Sequence, residues 1–341
     1  MLQEIGKQSV KFDKAPRVAG SASVVGKKES EGPLGGAFDV VCTDDKFGEN
    51  NWEASESEMQ RVALETALNK SGMEQSKIRF LFGGDLLGQL IATSFGLEEF
   101  QIPLIGLYGA CSTCGESILM ASMAIAGGFA GCTAAITSSH FASAEKQFRF
   151  PLAYGNQRPL SASWTVTGSG AFILEREETA ADNCHVKVCG GTVGKILDYG
   201  VKDSMNMGAC MAPAAADTIY HHLQDFSRCP EDYDRIITGD LGYVGQTILF
   251  ELLRQKGVNI ENVHMDCGIE IYDRNTQDTH AGGSGCGCSA VTLSAYILPK
   301  LRTGEWKRVL FVPTGALLSP VSFNEGKSVP GIAHAVVFEH C

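Results

Sequence analysis

Apolar positions along this chain follow two alternating rhythms. Residues 58–70 place them at helical spacing. Residues 77–86, just beyond, gather them into a short run behind an arginine. The pattern predicts an amphipathic helix and then a strand ending in Gly84-Asp85-Leu86. Residues 214–225 and 233–241 repeat the scheme, with a helix, a short polar loop, an Arg-led strand and Gly239-Asp240-Leu241. The correspondence continues downstream. A Gly-rich turn at 109–115 leads into a helix ending near Ala130 and a strand at 133–137. A second Gly-rich turn at 282–287 leads into a helix ending near Leu301 and a strand at 308–313. Cys111 and Cys286 hold similar places in the two copies. Each copy closes on an apolar strand ending in glutamate, at 169–175 and 333–339.

An internal repeat of this length indicates duplication. Strands alternating with helices indicate mixed α/β layers. Two copies packed about a pseudo-twofold axis give a five-layer α-β-α-β-α body, with the small-residue helices after the Gly-rich turns in the middle layer. The halves are expected at 1–180 and 181–341. They form one compact unit, because residues 183–200 are apolar and strand-like and do not resemble a linker.

Composition narrows the function. The chain has 341 residues, 44% of them hydrophobic, which is enough for a large core. Acidic residues outnumber basic ones by 39 to 28, for a net charge of -11. That balance argues against a nucleic-acid partner, which calls for a basic face. The first sixteen residues lack the apolar core of a signal peptide, and no apolar run reaches the roughly 18 residues of a membrane span. A cytoplasmic protein is expected, or one peripheral to a membrane. The 12 cysteines are scattered. Cys111-Ser112-Thr113-Cys114 has redox-motif spacing, but no second pair or histidine pair accompanies it, so neither a metal nor a cofactor is expected.

The stretch Gly109-Ala110-Cys111-Ser112 carries the candidate chemistry. It joins a segment at 102–108, read as a buried strand, to a helix over 115–129. A thiol at a helix N-terminus feels partial positive charge, which lowers its pKa and favours nucleophilic attack. Apolar burial would oppose that effect.

These features together resemble the thiolase and ketoacyl-synthase superfamily. Within it, the chain is most similar to the stage V sporulation protein AD branch. The resemblance rests on an ordered set of motifs spanning about residues 7 to 340. Among them are Gly32-Pro33-Leu34-Gly35, Gly84-Asp85-Leu86-Leu87, Gly109-Ala110-Cys111-Ser112-Thr113, Thr137-Ser138-Ser139-His140, Met211-Ala212-Pro213, Gly282-Gly283-Ser284-Gly285-Cys286 and Ile332-Ala333-His334. It implies a thiolase-like fold and a homodimer. It further implies a role in moving dipicolinic acid, alone or as its calcium complex, into the developing spore, beside membrane proteins of the same sporulation operon.

Condensing enzymes of this superfamily need a base and oxyanion donors around the cysteine. At the loop where synthases place a histidine, this chain reads Thr238-Gly239-Asp240. At the second Gly-rich turn it has no asparagine, and His280 falls one position away from the thiolase histidine. The nucleophile position therefore persists while the acid/base apparatus looks eroded, and binding without catalysis is expected. A Cys-dependent acyl-CoA condensing enzyme or acyltransferase is the alternative, and an inert scaffold is a third reading. For a dicarboxylate, the resemblance points to Cys111, Ser112, Gly283, Ser284, Asp85, His140 and His334. The amides of Ser112 and Thr113 and the 282–285 turn would be backbone donors. Asp85 has a competing role as a turn cap, His140 as a strand-end cap, and His334 as a core histidine. Lys146 and Arg149 lie in an insertion, Glu145 to Pro151, expected to shape the pocket mouth. Trp164 is expected to pack against protein.

Overall fold

The computed structural model describes residues 3–149, 157–179 and 185–341. The expected 180/181 boundary and Phe150-Pro151 of the insertion lie outside these residues.

Ten strands form the frame. The first half supplies β1 (Arg17–Val25), β2 (Phe80–Gly84), β3 (Leu104–Gly106), β4 (Cys132–Ser139) and β5 (Gly168–Glu175). The second supplies β6 (Val186–Thr192), β7 (Arg235–Thr238), β8 (His264–Asp266), β9 (Arg308–Val312) and β10 (Ala335–His340). They run in the order β8-β7-β9-β10-β6-β1-β5-β4-β2-β3. Within each half the order is the same: first, fifth, fourth, second, third. In both halves the fifth strand is antiparallel to its neighbours, while the second, third and fourth are mutually parallel. The two five-strand sets meet where Lys187 pairs with Arg17. A short strand, Ser9–Lys11, crosses over to pair with β6.

Period-two alternation sorts each strand's residues between layers. On β5, Phe172 and Leu174 face a central core, while Ala171 and Ile173 face the helix α1 (Trp52–Ser71). The central core also holds residues of α2 (Thr113–Ala126), such as Ile118 and Leu119, and of α6 (Cys286–Thr292), such as Cys288 and Ala290. On the far side of the second set lie α4 (Met207–Asp225) and α5 (Gly242–Gln255), which share a separate core with Ile236, Leu310 and Val337. Close approach in the middle layer depends on small residues. A Cβ on Gly170 would sit 2.7 Å from that of Ala290. α3 (Phe141–Phe148) follows β4 and leads towards the insertion.

Two expectations change. The 102–108 segment is a strand only over Leu104–Gly106, and all three residues are exposed. Its apolar run signals an edge strand, since β3 pairs only with β2. The helix expected to begin after Pro213 begins at Met207, with the proline inside it. Packing of Cys210, Met211 and Ala212 in the second core outweighs the lost hydrogen bond.

Candidate functional site at Cys111

The turn that presents Cys111 is tight. Ala110 takes a left-handed φ of 50°, uncommon for a residue with a Cβ. The Ser112 amide donates to Gly109 O at 3.1 Å and the Thr113 amide to Ala110 O at 3.2 Å. Ser112 Oγ donates to Gly109 O at 2.7 Å. The two amides expected to receive a ligand carboxylate are therefore engaged within the turn. Backbone from Thr314–Ala316 lies directly above, and a Cβ on Gly315 would meet Gly109 O at 2.2 Å.

Cys111 is buried, and the Asp240 carboxyl is a close electrostatic neighbour of its thiol. Asp240 stands on the loop leaving β7, in the position searched for an imidazole. Asp266 fixes that loop by accepting from Thr238 Oγ1 at 2.6 Å, Leu241 N at 2.9 Å and Gly242 N at 3.1 Å. Asp240 itself accepts from Thr314 Oγ1 at 2.6 Å and from Gly285 N at 3.0 Å. Burial raises its pKa to about 7. Burial, and then Asp240, push the Cys111 thiol well above its ordinary value. The lowering expected from the helix N-terminus is overturned, because desolvation of a buried thiolate outweighs a partial charge.

A small cavity opens at the thiol. Leu86, Tyr108, Phe148, Arg149, Ser284 and Leu318 line it with Cys111, and its volume is about 30 Å³. That is room for about one water. Arg149 is tied to Glu145, with Nε at 2.6 Å from Oε2. Cys286 packs in the same cluster and donates its thiol to Ser138 O at 2.8 Å.

The other expected residues are placed as follows. Ser284 faces the cavity. Gly283 lies in a short strand paired with Trp164–Thr165 and does not line it. The Gly285 amide, offered as a ligand donor, is taken by Asp240. Asp85 accepts from Leu87 N at 2.8 Å, Thr93 N at 2.8 Å and Thr93 Oγ1 at 2.5 Å, so it acts as a turn cap. His140 caps α3, with Nδ1 accepting from Ala142 N at 3.2 Å and Nε2 donating to Asp45 O at 2.9 Å. Neither ring nitrogen is left for a ligand. Its ring lines a different cavity. His334 lies away from both cavities. Its Nδ1 accepts from Gly194 N at 3.2 Å, and burial lowers its pKa to about 4. A neutral His334 supplies no positive charge to a carboxylate. His280 is held in its loop by Pro159 O at 2.9 Å and Asp278 at 3.0 Å. Lys146 pairs with Glu53 at 2.9 Å. Trp164 stacks on Phe141, with centroids 3.9 Å apart.

A helix-start cysteine beneath a two-copy sheet is the arrangement of condensing enzymes, and the family model for stage V sporulation protein AD matches residues 6–339. The chain belongs to the stage V sporulation protein AD family. It is 42% identical over 334 residues to the Bacillus subtilis (strain 168) protein of that name, covering 98% of this chain and 97% of the relative. Among solved structures it is similar to Xanthomonas campestris OleA bound to cerulenin, with a TM-score of 0.58, 14% identity, and coverage of 96% and 97%. It is also similar to 3-oxoacyl-[acyl-carrier-protein] synthase III from Aquifex aeolicus VF5, with a TM-score of 0.56, 11% identity, and coverage of 95% and 99%. The fold is thiolase-like. Asp240 escaped the sequence reading as a thiol partner, although its place in the repeated Gly-Asp-Leu was a usable signal.

Proposed function

We propose that this family member binds dipicolinic acid, free or as its calcium complex, and assists its uptake into the developing spore without catalysing acyl transfer. The observation that carries the reading is the Asp240 carboxyl at Cys111. A condensing enzyme needs a thiolate and a base that returns its proton. Here a carboxyl whose pKa burial raises to about 7 neighbours a thiol that burial and that carboxyl push well above its ordinary value. Membership in a sporulation family supports the setting.

Homodimerisation belongs to the same reading. β3 is an unpaired edge, with Leu104, Ile105 and Tyr108 41%, 43% and 45% exposed. Exposed apolar edges are normally covered. No helix of the described residues is long and apolar enough to cross a membrane. Action beside membrane proteins of the sporulation operon therefore requires a peripheral contact.

A second reading, a Cys-dependent acyltransferase, is favoured by one observation: Cys111 keeps its place at the start of α2. Calorimetric titration with dipicolinate, with and without calcium and with pyridine-2-carboxylate as control, separates the two. Saturable binding that needs both carboxylates supports the carrier. No binding, together with Cys111 acylated by acetyl coenzyme A in mass spectrometry, supports the enzyme.

A further inference from the structure

The Cys111 cavity is too small, as it stands, for a pyridine ring bearing two carboxylates. A second cavity is not. It lies between the turn at Gly26–Glu29, the start of α3 and Trp164, and its volume is about 460 Å³. That falls within the usual range of small-molecule sites, roughly 300–1,000 Å³. We infer that this second cavity is a receiving site for a small planar aromatic carboxylate. The inference rests on the binding reading above and supplies its location.

The walls have the right chemistry. Phe47, Trp52, Phe141 and Trp164 give it aromatic sides. Lys27 and Lys28 stand side by side on the entering turn. Lys28 Nζ lies 4.3 Å from the centroid of the Trp164 ring, and the Arg158 guanidinium lies 4.7 Å from the same centroid. Arg158 is almost wholly buried, with its side chain 2% exposed. Its Nη2 donates to Asp278 O at 2.8 Å, while its Nε and Nη1 have no partner among the described residues. Asp278, 78% exposed, and Glu145 are its acidic neighbours. Lys28 Nζ donates to Gln277 O at 2.6 Å.

Glu29 is the second pointer to a ligand. It lines the cavity and is 1% exposed. Oε1 accepts from Thr167 N at 3.0 Å and from the Tyr272 hydroxyl. Oε2 has no partner. Burial raises the Glu29 pKa and favours the protonated acid. A protonated Oε2 is a donor without an acceptor, and a ligand carboxylate would satisfy it.

Two acids also border the cavity. Asp44 turns its carboxylate onto its own loop, accepting from Lys46 N at 3.2 Å and Gly48 N at 2.7 Å. Asp45 meets His140 through its backbone carbonyl. A bare metal ion is a poor occupant, because no group of three metal-ligating side chains is gathered among the described residues. Lys27 and Lys28 would also repel it.

The test uses dipicolinate and the intact chain. Of its three tryptophans, Trp52 and Trp164 line this cavity and Trp306 does not. Dipicolinate should therefore change tryptophan emission saturably, and Trp164→Phe should remove most of that change. The double variant Lys27→Gln/Lys28→Gln should weaken calorimetric binding roughly tenfold or more, since a hydrogen bond to a charged group is worth about 1.5–3 kcal/mol. Ala142→Leu, which fills the cavity from α3, should weaken it at least as much. If that variant fails to fold, the lysine pair still decides, because Lys27 is exposed, Lys28 is half-buried and neither belongs to the core. Cys111→Ala should cost less than the lysine pair. Unchanged binding in the lysine pair, with loss in Cys111→Ala, overturns the inference and leaves the carrier reading standing. No binding to the wild-type chain removes both.

Discussion

The thiol of Cys111 should react slowly, and Asp240 should be part of the reason. Two unit charges in close contact, at roughly 4 Å and an effective dielectric near 20, interact by about 4 kcal/mol, or roughly three pKa units. Asp240 carries its full charge only above its pKa of about 7. Its influence on the thiolate should therefore grow between roughly pH 7 and 9. Asp240→Asn removes that charge and keeps the side chain's size. If only a third of the interaction is felt, thiolate at Cys111 should rise about tenfold at pH 8.5. The assay is alkylation with iodoacetamide, followed residue by residue in mass spectrometry from pH 6.5 to 9.5. Cys341 is exposed and serves as the reference in the same chain. Burial slows both proteins equally, so the rate ratio of Asp240→Asn to wild type, and its growth with pH, isolates the carboxylate. Wild-type Cys111 alkylating at pH 7 as fast as Cys341 would refute the reasoning. So would an identical profile in Asp240→Asn.

Other expectations concern stability and assembly. Glu56 is fully buried, bonded to Ser138 Oγ at 2.8 Å and Ser143 Oγ at 2.7 Å, and burial followed by repulsion from Asp85 raises its pKa to about 8. A raised carboxyl contributes stability that is present below about pH 4.5 and lost as pH rises through 8. Glu56→Gln should flatten that decline and stabilise the protein by a few kcal/mol at pH 8.5. Parallel urea-unfolding curves across pH for both proteins would sink the idea. If the proposed homodimer forms through β3, Ile105→Lys, which places a charge on that edge, should halve the mass seen in sedimentation at micromolar concentration; an equal mass for both proteins would refute that contact. Gly315→Ala should destabilise by roughly 3 kcal/mol or more, because its Cβ meets backbone at 2.2 Å; a loss under about 1 kcal/mol in thermal unfolding would mean that the Cys111 turn yields easily.

The frame was legible because its signals are local and written twice. The repeated helix, Arg-led strand and Gly-Asp-Leu appear as two strand sets of identical order. Apolar runs located β3 but not its exposure, since its composition is that of a buried strand. The site was less legible because its contacts span the whole chain. Ser284 and Cys111 line one cavity across the central layer. Asp240 joins them because three amides and hydroxyls fix its loop, which no spacing rule reveals. His140 and Asp85 were read as open alternatives, and their hydrogen bonds make both of them caps. The Glu29 and Lys28 cavity lies on residues with no motif. Its only sequence signal was a pair of adjacent lysines.

Asp85 and Asp240 began as the same position in two copies of one unit. The first now closes a turn by binding Leu87 and Thr93 within its own half. The second accepts from Thr314 and Gly285 in its own half and also neighbours the thiol presented by the other half. Equivalent positions thus serve a single half in one copy and the seam between halves in the other. A substitution at Asp85 should be felt within the first half alone, and one at Asp240 also at the thiol.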